Sequence, residues 1–304
     1  MEELLVTAAG VLFVSFGVFA FPLPKPSFRV TYSRVSPTIV AALQLFRKRY
    51  PLKRLDVNGV EWHYHDAGAG AEAVLFLHGM GGSGDIWFQQ IDSLSGRVRC
   101  IAPTYPAVRT LEQLRSGIAA ILQRERVDRV HVVGSSMGGY LAQYLMVKDP
   151  GRIGRVVLGN TFAPNATIPQ RAATGVRYLP WVPEWALMLG LRRNAAHVLY
   201  STSGGSELVK AYLYEQTCGL MRKSDFIGRC ACLTETFTAP SSIAAIPVLI
   251  IESDNDPLIE GALREALKRA YPNAVVKTFH GAGHFPYLCR PEEYSGLVTE
   301  FLSV

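Results

Sequence analysis

From Ala73 onward the chain alternates between short, unbroken apolar runs and longer stretches whose apolar residues recur three and four apart. "AVLFLHG", "RVHVVG", "RVVLGN" and "IPVLIIES" are runs of the first kind. Continuous apolar runs ending at glycine or a polar residue mark strands buried on both faces of a sheet. "VRCIAPTYP" and "AVVKTFHG" read as further strands. Helical stretches separate them. In "TLEQLRSGIAAILQRE", Leu111, Leu114, Ile118 and Ile121 share one face, and "GGYLAQYLMVKDP", "EGALREALKRAYP" and "EEYSGLVTEFLSV" also read as helices. Ahead of these, "LDVNGVEWHYHDAG" reads as two strands around an Asn58-Gly59 hairpin turn. Strands alternating with helices predict an α/β domain over residues 55–304, with a mostly parallel central sheet flanked by helices.

Two regions break the alternation. Residues 164–240 are aromatic-rich and helix-like, with no strand pattern, and include "VRYLPWVPEWALMLGL". They predict a helical cap inserted between two sheet strands, with Trp181 and Trp185 as candidates for a substrate pocket. Ordinary packing helices are the alternative. The other region is the N-terminus. Residues 4–21, "LLVTAAGVLFVSFGVFAF", carry no charge. As a helix rising ~1.5 Å per residue they would span about 27 Å, close to a bilayer's hydrocarbon thickness. Glu2 and Glu3 precede the run, and Lys25, Arg29 and Arg34 follow it. The positive-inside rule then predicts a membrane anchor within residues 1–24, with the α/β domain on the cytoplasmic side. A cleaved signal peptide, ending at "VFA", is the alternative and would export the domain. Residues 25–54 form a basic juxtamembrane segment. Ser36 suits an N-cap and Pro37 the first helical position. Ile39, Val40, Leu43 and Phe46 share a face, and Arg47, Lys48 and Arg49 close the helix. Such a helix suits an anionic membrane lipid surface, or packing on the domain with its cations solvated.

Composition narrows the classes. At 304 residues, 49% hydrophobic and 18% charged, the chain has ample core material and is not broadly disordered. The net charge of +6 is mild. With no RNP-like, zinc-finger or helix-turn-helix signature, no nucleic-acid partner is expected. The five cysteines (Cys100, Cys218, Cys230, Cys232 and Cys289) show no CxxC spacing. They read as reduced thiols and not as a zinc site.

The chemistry centres on "VHVVGSSMGGYLAQYL". Gly134-x-Ser136-x-Gly138 follows a buried strand and opens a helix, the context of a nucleophile elbow. The sharp turn needs small neighbours and lifts the Ser136 hydroxyl to the sheet's C-terminal edge, near the positive end of a helix dipole. A serine needs a base, and the base an orienting group. "IPVLIIESDNDPLIE" offers Asp254 and Asp256, of which Asp256 is preferred. "FHGAGHFPYL" offers His284, with His280 the poorer base because it still lies in the strand run. His63, His65, His131 and His197 read as surface or packing residues. Oxyanion donors are expected at the backbone N–H of Met137, directly after the nucleophile, and of Met80 in the Gly-rich "HGMGGSGDIW". With no GxxxxGK[ST] or GxGxxG, nucleotide binding is not indicated. Neither a cofactor nor a metal is expected.

"YHDAGAG", "LFLHGMGGSGDIW", "GSSMGG", "DNDP" and "GAGHFPYL" together resemble the α/β-hydrolase superfamily, from about Leu55 to the C-terminus. "YHDAG", "APTYP", "VHVVGSSMGGYLAQYL", "YPNA" and "FPYLCR" look more specifically like the maspardin family. The broader resemblance implies a serine hydrolase. The narrower one implies a non-catalytic binding or adaptor protein with a defective triad, yet His284 is in place here. "APTYP" also departs from the Asp-x-x-Gly stretch of other hydrolases. The expected activity is hydrolysis of a carboxylic ester, lipid-like or of monoacylglycerol type, with Ser136 as nucleophile, His284 as base and Asp256 as its orienting acid. Thioester, amide and carbon–carbon bond hydrolysis remain open, and no protein partner is indicated.

Overall fold

Eight strands form one sheet among the residues described by the computed structural model, 23–238 and 245–304. They are β1 (Lys53–Val57), β2 (Val60–Ala67), β3 (Ala73–Leu77), β4 (Arg99–Thr104), β5 (Val130–Ser135), β6 (Ile153–Gly159), β7 (Val248–Ser253) and β8 (Val275–Phe279). Their spatial order is β1-β2-β4-β3-β5-β6-β7-β8. β1 and β2 are antiparallel, as are β2 and β4, and every later pairing is parallel. The β1–β2 turn is at Asn58 and Gly59, with φ of 55° and 79°. Positive φ at both central residues gives a turn whose twist matches the strands it joins.

The longer helices are α1 (Pro37–Arg49), α2 (Phe88–Leu94), α3 (Leu111–Arg124), α4 (Met137–Lys148), α5 (Thr167–Tyr178), α6 (Glu184–Asn194), α7 (Glu207–Glu215), α8 (Lys223–Cys232), α9 (Gly261–Ala270) and α10 (Pro291–Leu302). Strand residues point alternately to opposite faces, so a strand covered on both sides reads as an unbroken apolar run. β3 shows this directly. Leu75 and Leu77 enter the core layer under α3, α4 and α9, whereas Val74 and Phe76 enter the layer under α1, α2 and α10. α2 has no counterpart among the sequence-predicted helices, because seven residues after a Gly-rich loop carry too short a period to register.

α5 to α8 all lie between β6 and β7, so a helical cap is inserted between two sheet strands. Its expected C-terminal bound near residue 240 lies outside the described residues. The membrane-anchored, cytoplasm-facing placement expected from residues 4–21 is corrected. Among the described residues no helix is long and apolar enough to cross a membrane, and residues 4–21 themselves lie outside that set. The apolar face of α1 is likewise not free for a lipid surface. Leu43 and Phe46 are buried in the domain core, and Ile39 and Val40 pack against it. Nor are all its cations solvated. Arg47 donates to Asp85 at 2.8 Å and, through both terminal nitrogens, to Glu215 of α7 at 2.8 Å. α1 thus ties the core to the cap.

Candidate active site

Ser136 sits between the last residue of β5 and the first of α4, with φ 55° and ψ −123°. That conformation is sterically strained for a non-glycine residue, at a cost on the order of 1–3 kcal/mol. Its surroundings hold it there. The Ser136 N–H donates to Gly159 O at 2.9 Å, and its carbonyl accepts from the Thr161 hydroxyl at 2.6 Å. The spacing of the glycines has a direct steric cause. A Cβ on Gly134 would lie 2.4 Å from Gly138 O, and one on Gly138 would lie 2.1 Å from Leu77 O. The chain can double back at this point only if both positions lack side chains.

The loops after β7 and β8 bring Asp256 and His284 together. His284 Nδ1 is 2.8 Å from Asp256 Oδ2 and 3.0 Å from Oδ1, and both residues are buried. The carboxylate is fully occupied. Oδ2 also accepts from Asn160 Nδ2 at 2.8 Å, and Oδ1 accepts from the backbone N–H of Leu258 and Ile259 at 2.8 and 3.1 Å. Burial pushes the Asp256 pKa up. The charge of His284 and the hydrogen bonds from His284, Asn160 and Leu258 outweigh it, so the carboxyl is held below its ordinary value. Asp254 is elsewhere. It pairs with His280 at 2.7 Å on the surface.

Asn160 is a site residue that the sequence reading misses. It directly follows β6 with φ 41°, and its amide donates to Ser253 Oγ, Asp256 Oδ2 and Gly283 O. The available signal is the Gly-Asn pair closing an apolar strand at the sheet edge that carries Ser136. Asparagine tolerates positive φ there.

Ser136 and His284 line one cavity of about 210 Å³, together with Met80 and its glycine neighbours. Met137 is buried as the first residue of α4, where its N–H has no partner within the helix. The cap wall comes from Leu191, Asn194, Ala195, Leu199, Leu213, Thr217, Met221 and Phe226. Two π turns, Ala195–Leu199 and Gln216–Leu220, extend α6 and α7 and contribute Ala195, Leu199 and Thr217. The two tryptophans expected in the pocket are not in that wall. Trp181 is 79% exposed, and Trp185 does not line the cavity either. Among the described residues the lining contains no Asp, Glu, Lys or Arg.

On the far side of the Met80 loop lies a buried histidine, His78. The Tyr105 N–H donates to its Nε2 at 3.2 Å, so the proton is on Nδ1, which donates to Gly79 O at 2.7 Å. Burial and the nearby Arg229 charge hold its pKa well below the ordinary value, so it is a neutral strut.

The model of the alpha/beta hydrolase family matches residues 74–297, which covers every residue of this site. The chain belongs to the alpha/beta hydrolase family. Within reach of that family it is 28% identical over 270 residues to maspardin of Danio rerio, covering 86% of this chain and 84% of that protein. It is 26% identical to the 2-hydroxy-6-oxononadienedioate/2-hydroxy-6-oxononatrienedioate hydrolase of Paraburkholderia xenovorans, covering 80% and 91%. A hydrolase structure from Pseudomonas aeruginosa PA01 superposes with a TM-score of 0.72 at 21% identity, over 84% of this chain and 99% of that one. The family's fold is therefore common ground. The resemblance to maspardin expected from the motifs extends over most of the chain.

Proposed function

We propose that this alpha/beta hydrolase is a serine hydrolase of uncharged carboxylic esters with an apolar acyl group. One observation carries the reading: a strained serine and the histidine of a buried His–Asp pair open on a single cavity. In this reaction Ser136 Oγ attacks the ester carbonyl and its proton passes to His284 Nε2. Asp256 holds the Nδ1 proton, fixing the tautomer and stabilising the imidazolium. The N–H groups of Met80 and Met137 receive the oxyanion. Collapse expels the alcohol, protonated by His284. Water then attacks the acyl-enzyme with His284 as base, and the acid and free Ser136 are released.

The cavity supports the substrate class. A lining without ionised side chains leaves a substrate carboxylate unpaired, which is costly in a dry site. A cavity of ~150 Å³ holds a benzene-sized group, so 210 Å³ suits an acyl group of about eight carbons. Longer, lipid-like chains would have to reach past it.

The test is a panel of uncharged esters of increasing acyl length, assayed with wild type and Ser136→Ala. Each added CH₂ is worth about 0.8 kcal/mol until the pocket fills, so kcat/KM should rise roughly fourfold per carbon and level off near eight. Ser136→Ala should lose the activity. Equal rates for the two proteins would end the nucleophile assignment, and an inert wild type would leave the binding or adaptor reading.

A further inference from the structure

The reaction above makes no use of one buried cation. Arg229, on α8 of the cap, is 3% exposed and ends against the loop that follows β3. Its Nη1 donates to Met80 O and, at 3.1 Å, to Gly82 O. Nη1 also lies 3.4 Å from Met221 Sδ, and Nη2 donates to Tyr105 O at 3.4 Å. Among the described residues none of these acceptors is a carboxylate. The Asp225 carboxylate one turn earlier on α8 offsets part of the cost of burying this charge, yet the guanidinium's hydrogen bonds go to neutral loop groups, so the arrangement calls for a reason beyond packing.

Peptide geometry supplies one. In a trans peptide the carbonyl and the N–H point in opposite directions. The Met80 N–H shares its peptide with Gly79 O, which accepts from His78 Nδ1 and, at 3.2 Å, from the Gly82 N–H. The next carbonyl, Met80 O, is the one Arg229 holds. Two successive carbonyls are thus pinned on the protein side, and the N–H groups opposite them are turned away from those anchors. Tyr105 joins the two anchors. Its ring stacks on His78 with centroids 3.9 Å apart, its N–H fixes the His78 tautomer, and its carbonyl meets Arg229. This is the tyrosine of "APTYP", where the chain leaves the Asp-x-x-Gly pattern.

We infer that Arg229 is a positioning residue of the oxyanion loop: by gripping Met80 O and Gly82 O from the cap, it makes the aim of the loop's N–H groups depend on the cap being seated. The catalytic consequence rests on the serine-hydrolase reading, whereas the anchoring of the loop does not.

The experiment compares wild type, Arg229→Met and Arg229→Lys in two measurements. In the first, kcat and KM for a short ester are set beside the affinity for an alkyl boronic acid, which forms a tetrahedral adduct in the oxyanion hole. Displacing catalytic donors by about 1 Å costs roughly 10²-fold. Arg229→Met should therefore lose about that factor in kcat with KM within threefold, and boronate affinity should fall in step. Arg229→Lys, able to hold one carbonyl, should lose less. In the second, amide hydrogen exchange should speed up at least tenfold in residues 79–84 of Arg229→Met, with the sheet unchanged. If Arg229→Met does not fold, Arg229→Lys carries both measurements. A loss confined to KM, an unaltered boronate affinity, or loop exchange equal to wild type would overturn the proposal. If wild type itself hydrolyses nothing, the function reading fails, and the exchange measurement still decides the anchoring.

Discussion

The loops after β7 and β8 each contribute twice: Asp254 and Asp256 from one, His280 and His284 from the other. The two pairs they form have nearly the same length, 2.7 Å for His280–Asp254 and 2.8 Å for His284–Asp256. Their environments are opposite. The side chains of His280 and Asp254 are 81% and 46% exposed, whereas those of His284 and Asp256 are 4% and 0% exposed. The buried carboxylate has three further donors, from Asn160, Leu258 and Ile259, and shares a cavity wall with the strained serine through its histidine. The exposed carboxylate accepts from the backbone N–H groups of Gly281 and Asn255 and has no such neighbour among the described residues. A short His–Asp distance therefore does not by itself define a triad. The difference lies in desolvation and in the surrounding donors, which fix the imidazole's orientation and strengthen its electrostatic support.

The largest expected effect comes from removing the buried carboxylate's charge. Asp256→Asn should lower kcat about 10³- to 10⁴-fold with KM little changed, because the amide stabilises neither the right tautomer nor the imidazolium. Steady-state kinetics on a short ester measures it. Asn160→Ala comes next. It strips a neutral donor from a buried carboxylate, a hydrogen bond worth about 1.5–3 kcal/mol. Thermal melting should show a matching loss of stability, and kcat should fall about tenfold. Wild-type values for both would mean that the donors around Asp256 do not distinguish the two pairs.

A pH series sharpens the contrast further. The Asp256 carboxyl titrates below its ordinary value in the folded protein. Its ionised form therefore contributes stability that is fully present above the unfolded-state pKa of about 4 and is lost as pH falls through the lower folded value. The melting-temperature gap between wild type and Asp256→Asn should narrow as pH drops below about 4. A gap that widened in acid would contradict the direction of the shift. The smallest effects belong to the exposed pair: Asp254→Asn and His280→Ala should each change kcat/KM less than about twofold, in keeping with the weak energetics of surface ion pairs. A loss at Asp254 matching that at Asp256 would exchange the roles of the two loops.

Much of this architecture is legible in the sequence where the governing rule is local. The Asn58-Gly59 turn, the doubly buried strands and the elbow follow from φ preference, face alternation and the steric demand for glycine at 134 and 138. Of the two aspartates after β7, Asp256 is the one whose carboxylate the chain turns inward onto His284. What is not legible depends on elements meeting from far along the chain. Asn160 reaches Asp256 across 96 positions, and Arg229 reaches Met80 across 149. The cap's aromatic residues are a misleading cue for the same reason. Trp181 stands out in the sequence but is exposed, and the cap's part of the cavity wall is built mostly from aliphatic residues such as Leu191, Ala195, Leu199 and Leu213, with Phe226 beside them. The apolar face of α1 is evident from its spacing, but its partner, the domain core and not a lipid surface, is set by tertiary packing.

Under the proposed function, Ser136 is an activated nucleophile served by the buried pair alone. The most direct measurement is intact-protein and peptide mass spectrometry after treatment with a fluorophosphonate. One adduct per chain is expected, located on Ser136, formed at a near-normal rate in Asp254→Asn and slowed by orders of magnitude in Asp256→Asn. An unmodified wild type, an adduct on another residue, or equal labelling rates in the two aspartate variants would contradict it.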